Sequence, residues 1–303
     1  VSASAPGAEV VGCDSYAALP GIVAELAPDI VFTIRFAGTP GFPAKALTGP
    51  GGPAWISVGG SGVDHLGNWD TSRTVVTNAA GVAADQMAEY VIGAVLHFRL
   101  DVPGLIADQS QQLWRRDRKV RPLRGGTALI VGLGRTGQAV AARLRAMSMR
   151  VIGVRNRREP VAGVDALHPP ADLPGLWPLA DLVVVSTPLT SATRGLIGAD
   201  ALAAMKPDAV IVDVSRGGVI DGQALASALM SGHLGGVALD VFEAEPLPPG
   251  HPLWTTPRTL VSPHCSSTYD GWEAATVAFF CDNLGRRLRG EPLVNVVEPG
   301  RGY

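Results

Sequence analysis

The chain has 303 residues, 47% of them hydrophobic and 17% charged, with a formal net charge of -2. That length can bury a large core and suits two domains of ordinary size, while the near-neutral balance excludes the basic footprint of a nucleic-acid binder. No uninterrupted apolar run reaches the roughly 20 residues of a membrane span, and the opening VSASAPGAEV has neither the basic nor the apolar stretch of a signal peptide. These features predict a soluble, unexported, cytoplasmic protein whose partners are small molecules, not nucleic acid or membrane. The chain does not begin with Met, so a trimmed N-terminus and a first strand that begins further upstream are expected. Cys13, Cys265 and Cys281 are odd in number and show no CxxC spacing, which argues against a disulfide framework and against a metal site. Cys265 follows His264 directly, but neighbours on an extended strand seldom converge, so it reads as a packing residue.

From Ala8 to Asn78 short apolar runs, EVVG, DIVFTIR, AWISV and TVVTN, alternate with Gly/Pro-rich connections and a helical candidate near Ile22 to Leu26. This pattern reads as a small α/β unit. A long helical pattern follows, AADQMAEYVIGAVLHFRLDV, which has no proline before Pro103 and is a candidate crossing between domains. The segment QSQQLWRRDRKVRPLR, Gln109 to Arg124, is polar and basic. It reads as a solvated surface element or as a dimer arm, the latter because Trp114 is costly to leave in water.

From Thr127 the rhythm is regular. TALIVG leads into a helix through Gln138 to Met147, then come RVIGV, DLVVVST, AVIVDV, GGVALDV and TLVSP, with helices such as Gly222 to Met230 between them. Strands alternating with helices imply right-handed crossovers and a mostly parallel sheet, a Rossmann-type domain. The tail from Tyr269 to Leu288 is helical again and returns to the first unit. The expected fold class is α/β with two Rossmann-like domains of parallel sheet, the first discontinuous: residues 1–88 plus 271–303 for substrate, residues 89–270 for a dinucleotide.

Glycine spacings arise by chance in a chain with 37 glycines, so the context of Gly132, Gly134 and Gly137 matters. They follow the strand TALIV and open the helix RTGQAVAARLRAM, as a dinucleotide-binding turn requires. The glycines permit a tight turn and close approach to a pyrophosphate, which faces the helix N-terminus. Further on, where NAD sites usually place a carboxylate for the ribose hydroxyls, the chain has Arg155, Asn156, Arg157 and Arg158. Guanidinium groups there suit a 2'-phosphate, so NADP(H) is preferred and NAD(H) remains usable; the bland alternative is a solvated basic turn.

Three charged side chains each follow a strand-like run: Arg216 in VDVSRGGVID, Glu245 in ALDVFEAEPLP and His264 in VSPHCSS. They should project from strand carboxyl ends, where open α/β sheets bind ligands. An arginine that forks onto a carboxylate, a histidine that passes a proton and a carboxylate that holds the histidine match reduction of a 2-oxo acid. Singly, each is as readily a surface charge or a satisfied core residue. Glycines 217 and 218 are expected to keep the backbone close to ligand. His97, His168, His233 and His251 read as structural, His65 beside Asp64 less so, and Arg35 is a second candidate for substrate contact against a surface salt bridge.

With GLGRTG, STPLTSATRGLIGADALAAMKPDAVIVDVSRGGVIDGQAL, GGVALDVFEAEPLPPGHPLW and SPHCSST in this order, the chain resembles the D-isomer-specific 2-hydroxyacid dehydrogenases over nearly its whole length. The resemblance implies that Arg216 binds the substrate carboxylate and polarises its carbonyl, that Glu245 orients His264, and that His264 is the acid/base. It implies further that Ser61 and Gly62, in SVGGSGVDH, offer backbone N–H groups to the substrate and that Asp240 lies near the nicotinamide. Arg135, Thr136, Thr187, Pro188, Val214 and Ser266 join the cofactor site on the same ground. GSGVDHL and the arginines after the second strand point toward the glyoxylate/hydroxypyruvate reductase branch, acting as a homodimer on a small 2-oxo or 2-hydroxy acid. Cys265-Ser266-Ser267 departs from the small residue that often follows the family's histidine. Glu245 beside His264 would favour the imidazolium, so reduction should fade as pH rises. Alternatives on the same fold are a dinucleotide-sensing corepressor-like binding module, disfavoured by the lack of a long disordered extension, and another dehydrogenase of the superfamily. Formate dehydrogenase, whose histidine pairs with glutamine, is disfavoured by Glu245.

Overall fold

The computed structural model describes residues 5–35 and 38–299. The first four residues of the opening segment, and the last four of the chain, lie outside them. Two compact units partition the chain: Val1–Val82 with Tyr269–Tyr303, and Ala83–Thr268. The break thus falls ahead of the long helix, not inside it at residue 88, because that helix packs as a whole on the second sheet.

In the first unit α1 (Leu19–Leu26), β1 (Ile30–Thr33), α2 (Ala44–Thr48), β2 (Trp55–Val58) and β3 (Val75–Asn78) form a three-stranded parallel sheet of order β1-β2-β3 with its helices. Val31, Ile56, Val58 and Val76 pack with Leu19 and Val23 of α1 in one cluster. Trp55 packs in another with Phe280 and Leu284 of the final helix (Trp272–Leu288), and its indole N–H donates to Thr77 Oγ1 at 2.9 Å. The run EVVG forms no strand: Val10 and Val11 are exposed and no ladder partner faces them among the described residues. Two valines between polar neighbours bury too little to fix a strand.

The second unit contains α3 (Ala84–Arg99), α4 (Val102–Ser110), β4 (Thr127–Val131), α5 (Arg135–Ala146), β5 (Arg150–Val154), β6 (Ala166–His168), α6 (Leu173–Leu176), β7 (Leu182–Val185), α7 (Ala199–Ala204), β8 (Val210–Asp213), α8 (Gly222–Met230), β9 (Gly236–Leu239) and β10 (Thr259–Val261). Its seven strands are all parallel, in the order β10-β9-β8-β7-β4-β5-β6. Continuous apolar strands need cover on both faces, and the burial shows it. Leu129, Val131, Val183, Val185 and Ile211 enter one core cluster, while Ala128, Ile130, Leu182, Val184, Val210 and Val212 enter the other with Val91, Val95 of α3 and Val140, Leu144 of α5. Each valine, leucine or isoleucine among them contributes about 1.5–3 kcal/mol by leaving water. The chain leaves β4 for β5 on one side and reaches β7 on the other, so the strand order reverses at the carboxyl end of β4, where such sheets bind ligands.

The pattern at 83–102 is not one helix. α3 ends at Arg99, and Asp101, with φ of 51°, caps α4 by accepting from Gly104 N–H at 3.3 Å. Pro103 has no N–H to continue a helix and would clash with a preceding carbonyl, so the chain turns there. Among the described residues no single helix is long and apolar enough to cross a membrane. The edge strand β6, only three residues long and half-buried, carries no sequence pattern that announces it.

Candidate active site at the strand ends

His264, Glu245 and Arg216 all lie just beyond carboxyl ends of strands in the second unit, after β10, β9 and β8. His264 Nδ1 and Glu245 Oε2 are 2.9 Å apart, with side chains 25% and 20% exposed, shielded yet reachable. The other carboxylate oxygen of Glu245 accepts the Phe242 N–H at 3.0 Å. Burial by itself would raise the Glu245 pKa. The hydrogen bonds from His264 and Phe242, with the charges of His264 and Arg216, outweigh it and hold the carboxyl below its ordinary value. With Nδ1 held by Glu245, the Nε2 side of the imidazole is left for a reacting group.

Backbone contact explains how loops from two strands meet. A Cβ on Gly217 would lie 2.0 Å from the Phe242 carbonyl carbon, so only glycine lets the Arg216 loop rest on the loop that carries Glu245. The glycine is thus required by neighbouring backbone, a different reason from the ligand approach expected for it.

His264 has φ of 53°, an uncommon conformation for a residue with a Cβ. Asp240 holds it there. Fully buried at the end of β9, Asp240 accepts the Cys265 N–H (2.9 Å) and Ser262 hydroxyl (2.6 Å) on Oδ1, and the Ser266 N–H (3.0 Å) on Oδ2. Ser262 spends its one proton on Asp240, so Tyr90 of α3, 2.7 Å away, must be the donor to Ser262. Burial pushes the Tyr90 pKa up to about 12, which keeps the phenol proton in place. This Tyr90–Ser262–Asp240 chain was not anticipated from the sequence. The only local signal is an acidic residue embedded in an apolar strand end, VALDV.

The glycine turn fits a dinucleotide. Gly132 has φ of 100°, and a Cβ there would lie 2.7 Å from the Ser186 carbonyl oxygen; a Cβ on Gly137 would lie 2.1 Å from the Gly132 oxygen. A Cβ on Gly134 would meet nothing within 4 Å. The outer glycines close the turn while the middle one faces open space at the N-terminus of the 12-residue α5, the arrangement a pyrophosphate requires. Ser186 locks the turn by donating to Gly132 O at 2.8 Å.

Residues 92–266 match the family model described as D-isomer specific 2-hydroxyacid dehydrogenase, NAD binding domain. A glyoxylate reductase of Thermofilum pendens is 33% identical over 246 residues, 78% of this chain and 72% of that protein. The chain belongs to the D-isomer-specific 2-hydroxyacid dehydrogenase family. A D-3-phosphoglycerate dehydrogenase of Methanocaldococcus jannaschii is 34% identical over 80% of this chain, which spans only 47% of that longer protein. In structure, a D-isomer specific 2-hydroxyacid dehydrogenase from Xanthobacter autotrophicus Py2, solved with NADPH and MES, superposes with a TM-score of 0.80 at 32% identity, covering 100% of this chain and 93% of that one. The protein is accordingly an NAD(P)-dependent oxidoreductase of this family.

Within the family's fold the remaining expected site residues fall in distinct places. Arg135 and Thr136 form the first turn of α5, Thr136 with its hydroxyl on Met87 Sδ at 3.5 Å. Thr187 and Pro188 follow β7, where the Pro188 carbonyl accepts the Thr193 hydroxyl at 2.6 Å, and Val214 and Ser266 are buried. Arg155, Arg157 and Arg158 line a pocket of about 440 Å³ with Leu167, His168, Pro169 and Asp172. Arg155 is committed to its own turn, its Nε donating to Arg157 O at 3.0 Å and its Nη2 to the Glu159 carbonyl. Arg157, Arg158 and Asn156 are exposed. His168 Nδ1 lies 2.9 Å from Asp172 Oδ2.

In the first unit Ser61 and Gly62 follow β2, and the Ser61 carbonyl accepts the side-chain amide of the buried Asn78 at 2.7 Å. Among the described residues no acceptor meets the N–H of Ser61 or of Gly62. Arg35 is exposed two residues beyond β1. The three cysteines are free thiols, and no group of three or more metal-ligating side chains occurs among the described residues.

Proposed function

We propose that this dehydrogenase reduces a small 2-oxo acid such as glyoxylate or hydroxypyruvate to the 2-hydroxy acid, preferring NADPH, with the reverse oxidation available. The observation that carries the reading is the 2.9 Å His264–Glu245 pair at a strand end, with the Arg216 charge acting on the same carboxylate. Arg216 holds the substrate carboxylate and draws electron density toward the carbonyl oxygen. The dinucleotide, when bound at the glycine turn, supplies the hydride that the carbonyl carbon accepts. His264, protonated at Nε2, gives its proton to the oxygen that receives the carbonyl electron pair, and Glu245 stabilises the imidazolium beforehand and fixes the ring. Solvent returns the proton for the next turnover. The N–H groups of Ser61 and Gly62 are assigned to the substrate carboxylate as well, and Arg35 to a secondary contact with it.

The NADPH preference rests on Arg157 and Arg158, which line the pocket beyond β5 and β6 and suit a 2'-phosphate. Arg155 supports them by holding the turn through Arg157 O and Glu159. NADH stays usable because the glycine turn does not distinguish the two. We assign the protein to the cytoplasm, as its free thiols suggest, and to a homodimer. The dimer contact is placed on α4 and the segment after it, where Trp114 is 91% and Ile106 60% exposed.

The reading is tested by kcat/KM for glyoxylate, hydroxypyruvate, pyruvate and 3-phosphohydroxypyruvate, each with NADPH and NADH in parallel. Turnover of glyoxylate or hydroxypyruvate, faster with NADPH, is expected. Preference for the phosphorylated acid would replace the substrate assignment, and equal efficiency with both dinucleotides would remove the cofactor assignment.

A further inference from the structure

Packing does little to hold the loop that carries His264. Pro263 before the histidine and Cys265 after it are exposed, and His264 itself has φ of 53°, a backbone conformation that its neighbours must enforce. Hydrogen bonds converge there instead. Ser262 is engaged at every polar group: its N–H donates to Leu239 O at 3.0 Å, its carbonyl accepts the His264 N–H at 3.0 Å, and its hydroxyl donates to Asp240 Oδ1 at 2.6 Å while accepting from Tyr90 at 2.7 Å. Asp240 in turn fixes the two amides after the histidine. Tyr90 ends this chain on a rigid support. Ala88, Val91 and Val95 of α3 are fully buried, and the Tyr90 ring packs against the same apolar cluster. One turn earlier, the Asp85 carboxylate accepts from Arg143 of α5 at 2.9 Å and the Met87 sulfur accepts the Thr136 hydroxyl at 3.5 Å, so α3 is braced against the helix of the glycine turn.

We propose that Tyr90 and Ser262 are positioning residues for His264: the phenol, carried on a braced helix, holds the Ser262 hydroxyl, and Ser262 with Asp240 holds the backbone on which the imidazole is mounted. The proposal rests on the reading of His264 as the proton donor. Proton transfer needs a short, aligned hydrogen bond to the reacting oxygen. Glu245 orients the ring through its side chain, but a backbone free to leave the left-handed region would carry the whole ring out of line. The hydroxyl chain supplies the constraint that Glu245 does not. Tyr90→Phe removes one oxygen from a half-buried ring, so it leaves the apolar packing of α3 in place while releasing one of the two bonds that fix the Ser262 hydroxyl.

The test has two arms. The proton between His264 Nδ1 and Glu245 Oε2, which are 2.9 Å apart, should give a far-downfield proton magnetic resonance, assigned by its loss in His264→Ala. In Tyr90→Phe and in Ser262→Ala that resonance should shift or broaden. This arm needs no turnover. In the kinetic arm, Tyr90→Phe should lower kcat for the preferred oxo acid by roughly fivefold or more, the scale of one ordinary hydrogen bond, while dinucleotide affinity by fluorescence titration stays unchanged. Ser262→Ala should cost at least as much, and adding Tyr90→Phe to it should cost nothing further, because the phenol acts through the serine. An unmoved resonance, kcat losses that multiply in the double variant, or a loss confined to dinucleotide affinity would each overturn the proposal. A resonance that moves in Tyr90→Phe although the wild type turns over no oxo acid would sustain the positioning role and overturn the reductase reading instead.

Discussion

The carboxyl ends of β8 to β10 and the turn beyond β5 both bear charged side chains at one edge of the same sheet, but they are built differently. Around His264 the carboxyl groups are shielded and each has a fixed partner: Glu245 bonds the imidazole, Asp240 the following two backbone amides, and Asp213 the Ser215 amide in the turn before Arg216. At the arginine turn Arg157 and Arg158 are exposed, and the partly shielded Arg155 spends its donors on the turn itself. Charges held in low dielectric act strongly and in fixed directions, whereas exposed ones are screened within about 10 Å at ordinary salt. Under the proposed function the first region carries the reaction, and the second biases which dinucleotide binds.

The sharpest break of that contrast is His264→Ala, expected to lower turnover by roughly 100-fold or more, the usual scale for a lost general acid, with dinucleotide affinity unchanged by fluorescence titration. Arg216→Lys keeps the charge but loses the planar fork. A loss of about 2 kcal/mol in kcat/KM for the oxo acid, roughly 30-fold, is expected, and wild-type kinetics would remove Arg216 from substrate binding. On the exposed side, replacing Arg157 and Arg158 together with Ala should raise the KM for NADPH by roughly tenfold and leave that for NADH unchanged. The NADPH effect should shrink as salt is added; a salt-independent change would mean that these arginines are not screened as their exposure implies.

The smallest effect is on stability. The Asp213 carboxyl has its folded pKa raised to about 7 from 3.8, so between those values the folded chain keeps a proton that the unfolded chain has lost. Its contribution is full below the unfolded value and is lost as pH rises through the folded one. Asp213→Asn should therefore be more stable than the wild type above neutrality, by about 1 kcal/mol or more, and this gain should fade toward acidic pH. Denaturant melts on both sides of pH 7 would show it.

Much of this was legible in the residues. Strands β4, β5, β7, β8 and β9 are continuous apolar runs because both sheet faces are covered, and Arg216, Glu245 and His264 stand out as charges directly after such runs. What was not legible depends on distance along the chain or on turn geometry. Tyr90 and Ser262 are 172 residues apart, Ser262 and Asp240 are 22 apart, and no periodicity announces such meetings. The commitment of Arg155 to Arg157 O and Glu159 follows from how one exposed turn folds. The break of the long helical pattern at Asp101 was foreshadowed by Pro103, though the pattern of apolar residues ran across it. EVVG had the composition of a strand but not the length to bury one.

The central claim is that His264 and Glu245 act as one proton-donating unit, and a double-mutant cycle tests it most directly. Glu245→Gln should lower kcat/KM for glyoxylate by roughly tenfold or more in the wild-type background and change almost nothing when His264 is already Ala, since groups that act together are not additive. If the two losses instead multiply, Glu245 does not act through His264, and the assignment of the pair is wrong.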